Sequence, residues 1–319
     1  MRNKPLKILV CPLNWGLGHA SRCIPIIQQL INEGHTPILV ADGYPLALLR
    51  QEFPTLRTIE YPSYSISYSK SSTQIFAMLR SFPAIISGIL KEYLWLKKLL
   101  KQEHFDQVIS DNRFGMWNKN IHSIYITHQL MVKMPLLLKP LEPFVWWIHR
   151  QFILQYNECW IPDNKNPKGS LSGDLSHLYP LPKNAKFIGP LSRFSSYTNV
   201  TPNCDYSFVA VLSGIESQRS KLELHLIKRF ENSGTNALIV RGLPVEEELW
   251  TSSGNVHMVS HLPTEALAAV ILGAKLIIAR SGYSSLMDLK ALNCLHKAEL
   301  IPTPGQTEQL YLATFHNRH

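Results

Sequence analysis

Short apolar runs of strand length alternate with longer segments of helical character throughout the 319-residue chain. Polar, glycine or proline residues bound each run, which is typical of a strand buried on both faces of a sheet. Strands and helices in regular succession predict a parallel sheet covered by helices on both sides. The first half contains five predicted strands, at Lys7–Leu13, Thr36–Asp42, Phe105–Asp111, Ser123–Gln129 and Glu158–Asp163. Helices are predicted near 20–33, 73–102 and 140–157.

The same pattern starts again after a polar stretch at Ser195–Asp205, which is typical of a linker. We therefore predict two doubly wound, parallel-sheet α/β domains, over residues 1–195 and 205–319, with a ligand in the cleft between them. Helices of the second domain are predicted near 217–231, 264–272, 283–292 and 306–313. Its predicted strands are Tyr206–Gly214, Ala237–Gly242, Val256–Leu262, Leu276–Gly282 and Ala298–Pro304.

Charge and hydropathy limit the classes of function. Residues 1–200 contain 22 Lys and Arg against 12 Asp and Glu, whereas the remaining residues contain 10 against 11. The basic first half suggests an anionic partner, such as a phosphate or a membrane surface, or else a solvated basic face without function. Since the basic residues are dispersed and accompany no nucleic-acid-binding motif, no nucleic-acid partner is expected. Neither a signal-peptide core nor an uncharged apolar stretch of membrane-spanning length is evident, so we expect a cytoplasmic protein.

The first predicted strand ends in a glycine loop, Asn14-Trp15-Gly16-Leu17-Gly18-His19. Gly16 and Gly18 allow a tight turn, and the helix that follows offers backbone amides to an anion. The spacing is compatible with a dinucleotide site in which Asp42 would hold the ribose, but Ser21 stands where a third glycine is expected. His19 favours another chemistry, because an imidazole facing a cleft can take a proton from a hydroxyl at neutral pH. The alternative is that His19 only packs against its neighbours or caps the helix.

Three strand ends of the second half carry groups suited to a sugar nucleotide. Ser213-Gly214 and Ser281-Gly282 each lead into a helix whose amides can bind phosphate oxygens. Asp288, further along the second helix, could receive ribose hydroxyls or could be a solvated acid. The stretch Pro302–Gln309 joins a rigid loop to clustered amide and carboxylate groups, which can hydrogen-bond to several hydroxyls of a sugar.

Two segments resemble the MurG-like branch of the GT-B glycosyltransferases. They are Arg-Ser-Gly-Tyr-Ser-Ser-Leu-Met-Asp at 280–288 and Pro-Thr-Pro-Gly-Gln-Thr-Glu-Gln at 302–309. The resemblance extends over nearly the whole chain and implies a nucleotide-sugar donor, with a UDP-sugar expected. It implies that His19 is the general base and that Arg193 closes the interdomain motif, although the family's Asn is missing there. Further implied donor contacts are Ser213, Gly214, Ser281, Gly282, Asp288, Glu308 and Gln309.

Two departures from the family concern the donor. Asp288 stands where the family has Glu, and Glu308 replaces one of the paired glutamines, so the donor sugar could differ from N-acetylglucosamine. The chain also ends ten residues after Gln309, where the family has further helices. We therefore expect a shortened second domain with weak stability or low activity.

The expected reaction is a single displacement with inversion at the anomeric carbon, in which His19 deprotonates the acceptor hydroxyl. No metal or cofactor is expected, since the sequence contains no Asp-x-Asp and its five cysteines are scattered. A sugar-nucleotide epimerase and an inactive nucleotide-sugar-binding relative remain alternatives.

The acceptor is not specified by the sequence. Asp111, Arg113 and His128 lie at the ends of first-half strands and are the candidate acceptor contacts. The segment Met134–Tyr156 mixes aromatic, aliphatic and basic residues, as a helix lying in a membrane interface would, although an ordinary packed helix is an equal alternative. A lipid-linked acceptor and a peripheral position on an anionic membrane are thus hypotheses.

Overall fold

The structure is a computed structural model that describes residues 4–63, 74–197, 199–214, 216–245 and 248–317. The chain divides into two units, and the division differs from the predicted one in two respects. The boundary lies between Pro190 and Leu191, and the glycine-loop segment Trp15–Arg22 groups with the second unit. The first unit thus comprises the residues up to Asn14 and those from Cys23 to Pro190.

Within the described residues, the first unit contains a seven-stranded sheet of order β3-β2-β1-β4-β5-β6-β7, in which every pair is parallel. The central strands are buried because helices cover both faces, which explains their uninterrupted apolar sequences. The elements are β1 (Lys7–Pro12), α1 (Gly18–Asn32), β2 (Thr36–Ala41), α2 (Gly43–Glu52), β3 (Thr58–Glu60), α3 (Gln74–Gln102), β4 (Gln107–Asp111), β5 (His122–Ile126), α4 (Glu142–Ile153), β6 (Glu158–Ile161), α5 (Asp174–His177) and β7 (Ala185–Phe187).

The described part of the second unit contains a six-stranded sheet of order β10-β11-β9-β8-β12-β13, parallel except for the β10–β11 pair. One apolar cluster packs α6 against one face, and a second cluster packs α7, α8 and Phe194 against the other. The elements are β8 (Phe208–Val211), α6 (Glu216–Phe230), β9 (Ala237–Val240), β10 (Trp250–Ser253), β11 (Val256–Val259), α7 (Thr264–Gly273), β12 (Leu276–Arg280), α8 (Tyr283–Ala291), β13 (Ala298–Ile301) and α9 (Thr307–His316).

All ten predicted strands are present. Nine end earlier than the sequence pattern suggests, whereas β4 ends at Asp111 as predicted and begins two residues later. The seven predicted helices are present too, although residue 73 of the second lies outside the described residues. The sequence did not indicate β3, β7 and β10, which are short edge strands with polar or half-exposed residues. Edge strands lack the two-sided burial that produces a continuous apolar run.

Candidate functional site

The polar residues predicted to bind a donor lie at one edge of the second sheet. After β8 the chain passes through α6 to β9 on one side, and after β11 it returns through α7 to β12 on the other. The strand order therefore reverses between β8 and β12, and open α/β sheets bind ligands at such a reversal. Ser213 and Gly214 follow β8, Ser281 and Gly282 follow β12, and Gln309 follows β13.

The glycine loop packs against this edge within the second unit. Gly214 has a φ of +96°, and a Cβ built on it would meet no atom within 4 Å. A Cβ built on Gly16 would lie 3.6 Å from the backbone nitrogen of Gly214. The two glycines thus let two backbones approach while leaving open space beside Gly214, as a backbone cradle for a ligand requires.

Gly18 lies against the start of α8. The hydroxyl of Ser284 donates a hydrogen bond of 2.9 Å to the carbonyl oxygen of Gly18. A Cβ built on Gly18 would lie 2.9 Å from Oγ and 3.1 Å from Cβ of Ser284. No side chain fits here without a shift, because its Cβ would lie closer to these two Ser284 atoms than ordinary van der Waals contact allows.

The side chain of Gln309 is held in one orientation. Its Oε1 accepts a 2.8 Å hydrogen bond from the backbone N–H of Thr303, and the hydroxyl of Ser281 donates to its backbone carbonyl at 2.8 Å. Because Oε1 is engaged, the amide group presents Nε2, which lies 3.8 Å from a Cβ built on Gly282. Gln309 therefore offers N–H donors beside the first residues of α8. Glu308 is half-buried in the first turn of α9.

Asp288 of α8 contacts residues 192 and 193, which follow the boundary between the two units. The Ser192 hydroxyl donates to its Oδ1 at 2.6 Å, and Oδ2 lies 3.8 Å from Nε of Arg193. Burial raises the pKa of the Asp288 carboxyl, while the Arg193 charge and the Ser192 hydrogen bond oppose that rise. The acid expected to hold a ribose is thus already used to position residues 192 and 193.

Arg193 is largely buried, yet part of its hydrogen-bonding capacity is unused. Its side chain is 8 % exposed, and Nε and Nη1 have no hydrogen-bond partner among the described residues. His261, at the end of β11, is buried, and burial together with the Arg193 charge lowers the pKa of its imidazole to about 4. A buried guanidinium with unmade hydrogen bonds is costly, so an anion that reached it would bind strongly.

His19 is half-buried in the first turn of α1. Nη2 of Arg22, one helical turn further, lies 3.0 Å from Nδ1 of the imidazole. Residues three apart on a helix share a face, which explains the contact.

The candidate acceptor residues of the first unit are more enclosed than the sequence suggested. Asp111 is fully buried at the end of β4 and accepts a weak hydrogen bond from the Cys23 thiol, 3.7 Å away. His128, which follows β5, is 5 % exposed. Asn112 adopts a left-handed φ of 59°, and its Oδ1 accepts a 2.9 Å hydrogen bond from Tyr125.

Arg113 has a structural environment in place of the expected ligand-facing one. Its buried guanidinium pairs with Glu92 of α3 at 2.8 Å and also donates to the carbonyl of Pro62. Glu92 in turn accepts a hydrogen bond of 3.0 Å from the backbone N–H of Gly115. A Cβ on Gly115 would collide with the Ile89 carbonyl and with Glu92. We call this arrangement the α3 clamp, and it holds the loop after β4 against the helix.

Asp42, the ribose-binding acid of the dinucleotide alternative, also has structural contacts. It precedes α2 in extended conformation, and its Oδ2 accepts a 3.2 Å hydrogen bond from the backbone of Ser63. Asn14 donates to its carbonyl oxygen at 3.4 Å. These contacts fasten the ends of β1, β2 and β3 to one another.

Several residues of these arrangements were not singled out from the sequence. Arg22 was detectable, since it lies one turn after His19. No sequence pattern marked Ser192, Thr303 or Glu92. Their hydrogen-bond partners lie 96, 6 and 21 residues away, respectively, and are determined by tertiary packing.

An apolar groove of about 610 Å³ lies between α3 and α4 of the first unit. Ile86, Leu90 and Tyr93 line it from α3, and Trp147 and Phe152 line it from α4. Leu90 and Trp147 are 56 % and 52 % exposed, so the groove presents apolar side chains to solvent.

Two features are absent from the described residues. These residues contain no group of three His, Cys, Asp or Glu side chains arranged to hold a metal ion. None of their helices combines the length and the hydropathy needed to cross a bilayer.

Comparison with known proteins identifies the fold and not a family. No protein-family model and no curated protein sequence matches the chain. Among solved structures, CalG4, the calicheamicin glycosyltransferase, matches 97% of this chain and 84% of its own at 12% identity, with a TM-score of 0.58. A glycotransferase of kitacinnamycin matches 98% of this chain and 90% of its own at 14% identity, with a TM-score of 0.57. Arabidopsis thaliana UGT89C1, complexed with UDP-L-rhamnose, matches 97% of this chain and 82% of its own at 13% identity, with a TM-score of 0.56. The chain therefore has the two-domain α/β fold of the GT-B glycosyltransferases.

Proposed function

We propose that the protein is a glycosyltransferase that moves a sugar from a nucleotide diphosphate, with UDP as the nucleotide, to an acceptor hydroxyl. The supporting observation is the convergence of three polar loops at the strand reversal of the second sheet. Gly214 leaves open space there, and the amino-terminal end of α8, the end of a helix that favours anions, begins there. The three solved structures compared above are glycosyltransferases, and that of UGT89C1 holds UDP-L-rhamnose.

The donor site is assigned residue by residue. Backbone amides at Gly214 and at the start of α8 bind the diphosphate, and Arg193 adds its unsatisfied guanidinium donors. The Nε2 of Gln309, aimed at Gly282, donates to a sugar oxygen. Asp288 shares its carboxylate between Ser192 and the ribose, with Ser213, Ser281 and Glu308 completing the site. This assignment follows the MurG-like resemblance of the sequence.

The reaction is an inverting displacement at the anomeric carbon. His19 takes the proton of the acceptor hydroxyl, the new bond forms between that oxygen and C1, and the bond from C1 to the phosphate oxygen breaks. The electron pair leaves with the diphosphate, whose growing charge is stabilised by Arg193 and the amide dipoles. A metal ion is not needed for this step, and full activity in EDTA is the expected result.

A lipid-linked acceptor and a peripheral position on an anionic membrane fit the first unit. The groove between α3 and α4 is apolar, and the exposed residues Lys91 and Lys139 lie on α3 and shortly before α4 in the chain. Apolar contact combined with lysine attraction to anionic headgroups is typical of peripheral binding. Asp111 and His128 remain the proposed acceptor contacts near the ends of β4 and β5.

Calorimetric titration with UDP, GDP, TDP and the corresponding sugar nucleotides tests the proposal. Binding of UDP-sugars with micromolar affinity is expected, and the absence of any nucleotide binding would refute the donor site. Donor consumption is then followed with and without candidate acceptors. Isomerisation of the donor sugar without transfer would identify an epimerase, and tight binding without turnover would identify an inactive relative.

A further inference from the structure

The contact between Arg22 and His19 determines where the imidazole carries its proton. The guanidinium Nη2 of Arg22 lies 3.0 Å from Nδ1 of His19, and Arg22 is 1 % exposed. Guanidinium nitrogens in proteins carry hydrogens and offer no lone pair, so Arg22 can only donate. Nδ1 of His19 must therefore accept.

A neutral imidazole has one N–H, and the lone pair used at Nδ1 leaves that hydrogen on Nε2. A protonated imidazole would carry a hydrogen on both nitrogens and would direct an N–H at the guanidinium. The observed contact is thus compatible with only one protonation state, the neutral Nε2–H tautomer.

We propose that Arg22 is a positioning residue that holds His19 in the Nε2–H tautomer, so that His19 acts as a base only after Arg22 has left Nδ1. The proposal rests on the role of His19 in the proposed function. To accept the proton of a hydroxyl at Nε2, the imidazole needs its lone pair there and its hydrogen on Nδ1. The imidazolium produced carries hydrogens on both nitrogens, so it too excludes the contact with Arg22.

The helix has a local feature that suits such a movement. Pro25 lies in α1 and has no N–H, so the carbonyl of Ser21, four residues earlier, lacks its usual helical donor. The part of α1 before Pro25, which contains His19 and Arg22, is thereby joined to the rest of the helix by one hydrogen bond fewer. Rotation of that turn or of the Arg22 side chain releases Nδ1 for a hydrogen-bond acceptor.

NMR of the full chain labelled with ¹⁵N and ¹³C in histidine tests the inference, with His19→Gln used to assign the resonance. The wild type is expected to show the Nε2–H form at neutral pH. Arg22→Met removes the donor at similar volume and should raise the ratio of Nδ1–H to Nε2–H about tenfold, the effect of losing a hydrogen bond to a charged group. Arg22→Lys keeps a donor-only cation and should preserve the wild-type spectrum.

An Nδ1–H signal in the wild type would overturn the inference without any variant, which covers the case in which Arg22→Met fails to fold. An unchanged tautomer ratio in folded Arg22→Met would overturn it as well. UDP titration of the same samples separates this inference from the proposed function. Absent UDP binding refutes the donor site, whereas the tautomer is measured without donor or acceptor.

Discussion

The packing of Gly18 against Ser284 predicts a strong coupling between two residues that are 266 positions apart. In Gly18→Ala, the new Cβ would lie 2.9 Å from the Ser284 Oγ and 3.1 Å from its Cβ, and backbone or side chain must shift. Overpacking of this kind costs about 1–3 kcal/mol, partly offset by the higher helix propensity of alanine at the start of α1. We expect Gly18→Ala to lower the free energy of unfolding of the second unit by about 2 kcal/mol.

The partner substitution should reverse that effect. Ser284→Gly loses the hydrogen bond to the Gly18 carbonyl, which costs about 1 kcal/mol, but it also removes both colliding atoms. In the Ser284→Gly background, Gly18→Ala is therefore expected to be neutral or slightly stabilising. The coupling energy should be about 2 kcal/mol, or roughly 30-fold in the unfolding equilibrium constant.

Urea denaturation of the wild type, both single variants and the double variant measures this coupling. Gly169→Ala serves as the control, because a Cβ there meets its nearest atom at an ordinary distance of 3.6 Å. Additivity of the two substitutions within about 0.5 kcal/mol would refute the close contact between the glycine loop and α8.

Three further predictions concern single residues. Gly282→Ala should fold normally, since its Cβ meets only Nε2 of Gln309 at 3.8 Å, yet its methyl group should weaken UDP binding in calorimetry roughly tenfold; unchanged affinity would contradict phosphate binding at α8. Gln309→Glu keeps an oxygen for the N–H of Thr303 but loses the amide donors, so it should weaken binding of a UDP-sugar about tenfold while leaving UDP affinity unchanged. Burial lowers the pKa of His149 to about 4, whereas an unfolded histidine titrates near 6.5, so protons favour the unfolded chain between these values. The contribution of His149 to stability should therefore fall by up to about 3 kcal/mol as the pH drops from 6.5 to 4. His149→Gln should remove that part of the pH dependence in urea titrations at several pH values, while the part due to His261 remains.

Much of the fold could be predicted because the central strands are buried on both sides. Val10 and Ile278 belong to uninterrupted apolar runs, whereas β10 contains Trp250 and polar residues on an exposed edge and gave no such signal. The grouping of residues 15–22 with the second unit could not be predicted, because it depends on contacts with a sheet formed 200 residues later.

The meeting of polar residues at one edge of the second sheet was predictable, whereas their hydrogen bonds were not. Ser281 and Gln309 are polar residues beyond strand ends, and parallel strands bring such residues to one edge. The partners of a side chain depend on tertiary packing, however. The hydrogen bond that Asp288 accepts from Ser192 and the ion pair between Arg113 and Glu92 were not indicated by the sequence.

The α3 clamp has a consequence for the way in which the first unit opens. Gly115 has no space to slide along the helix past the Ile89 carbonyl, and separation would leave the charges of Glu92 and Arg113 without a counterion. Partial loosening of this region is therefore costlier than complete detachment of the loop from the helix. Amide hydrogens at 113–117 and in the second half of α3 should consequently exchange with deuterium at a common rate, as one cooperative unit.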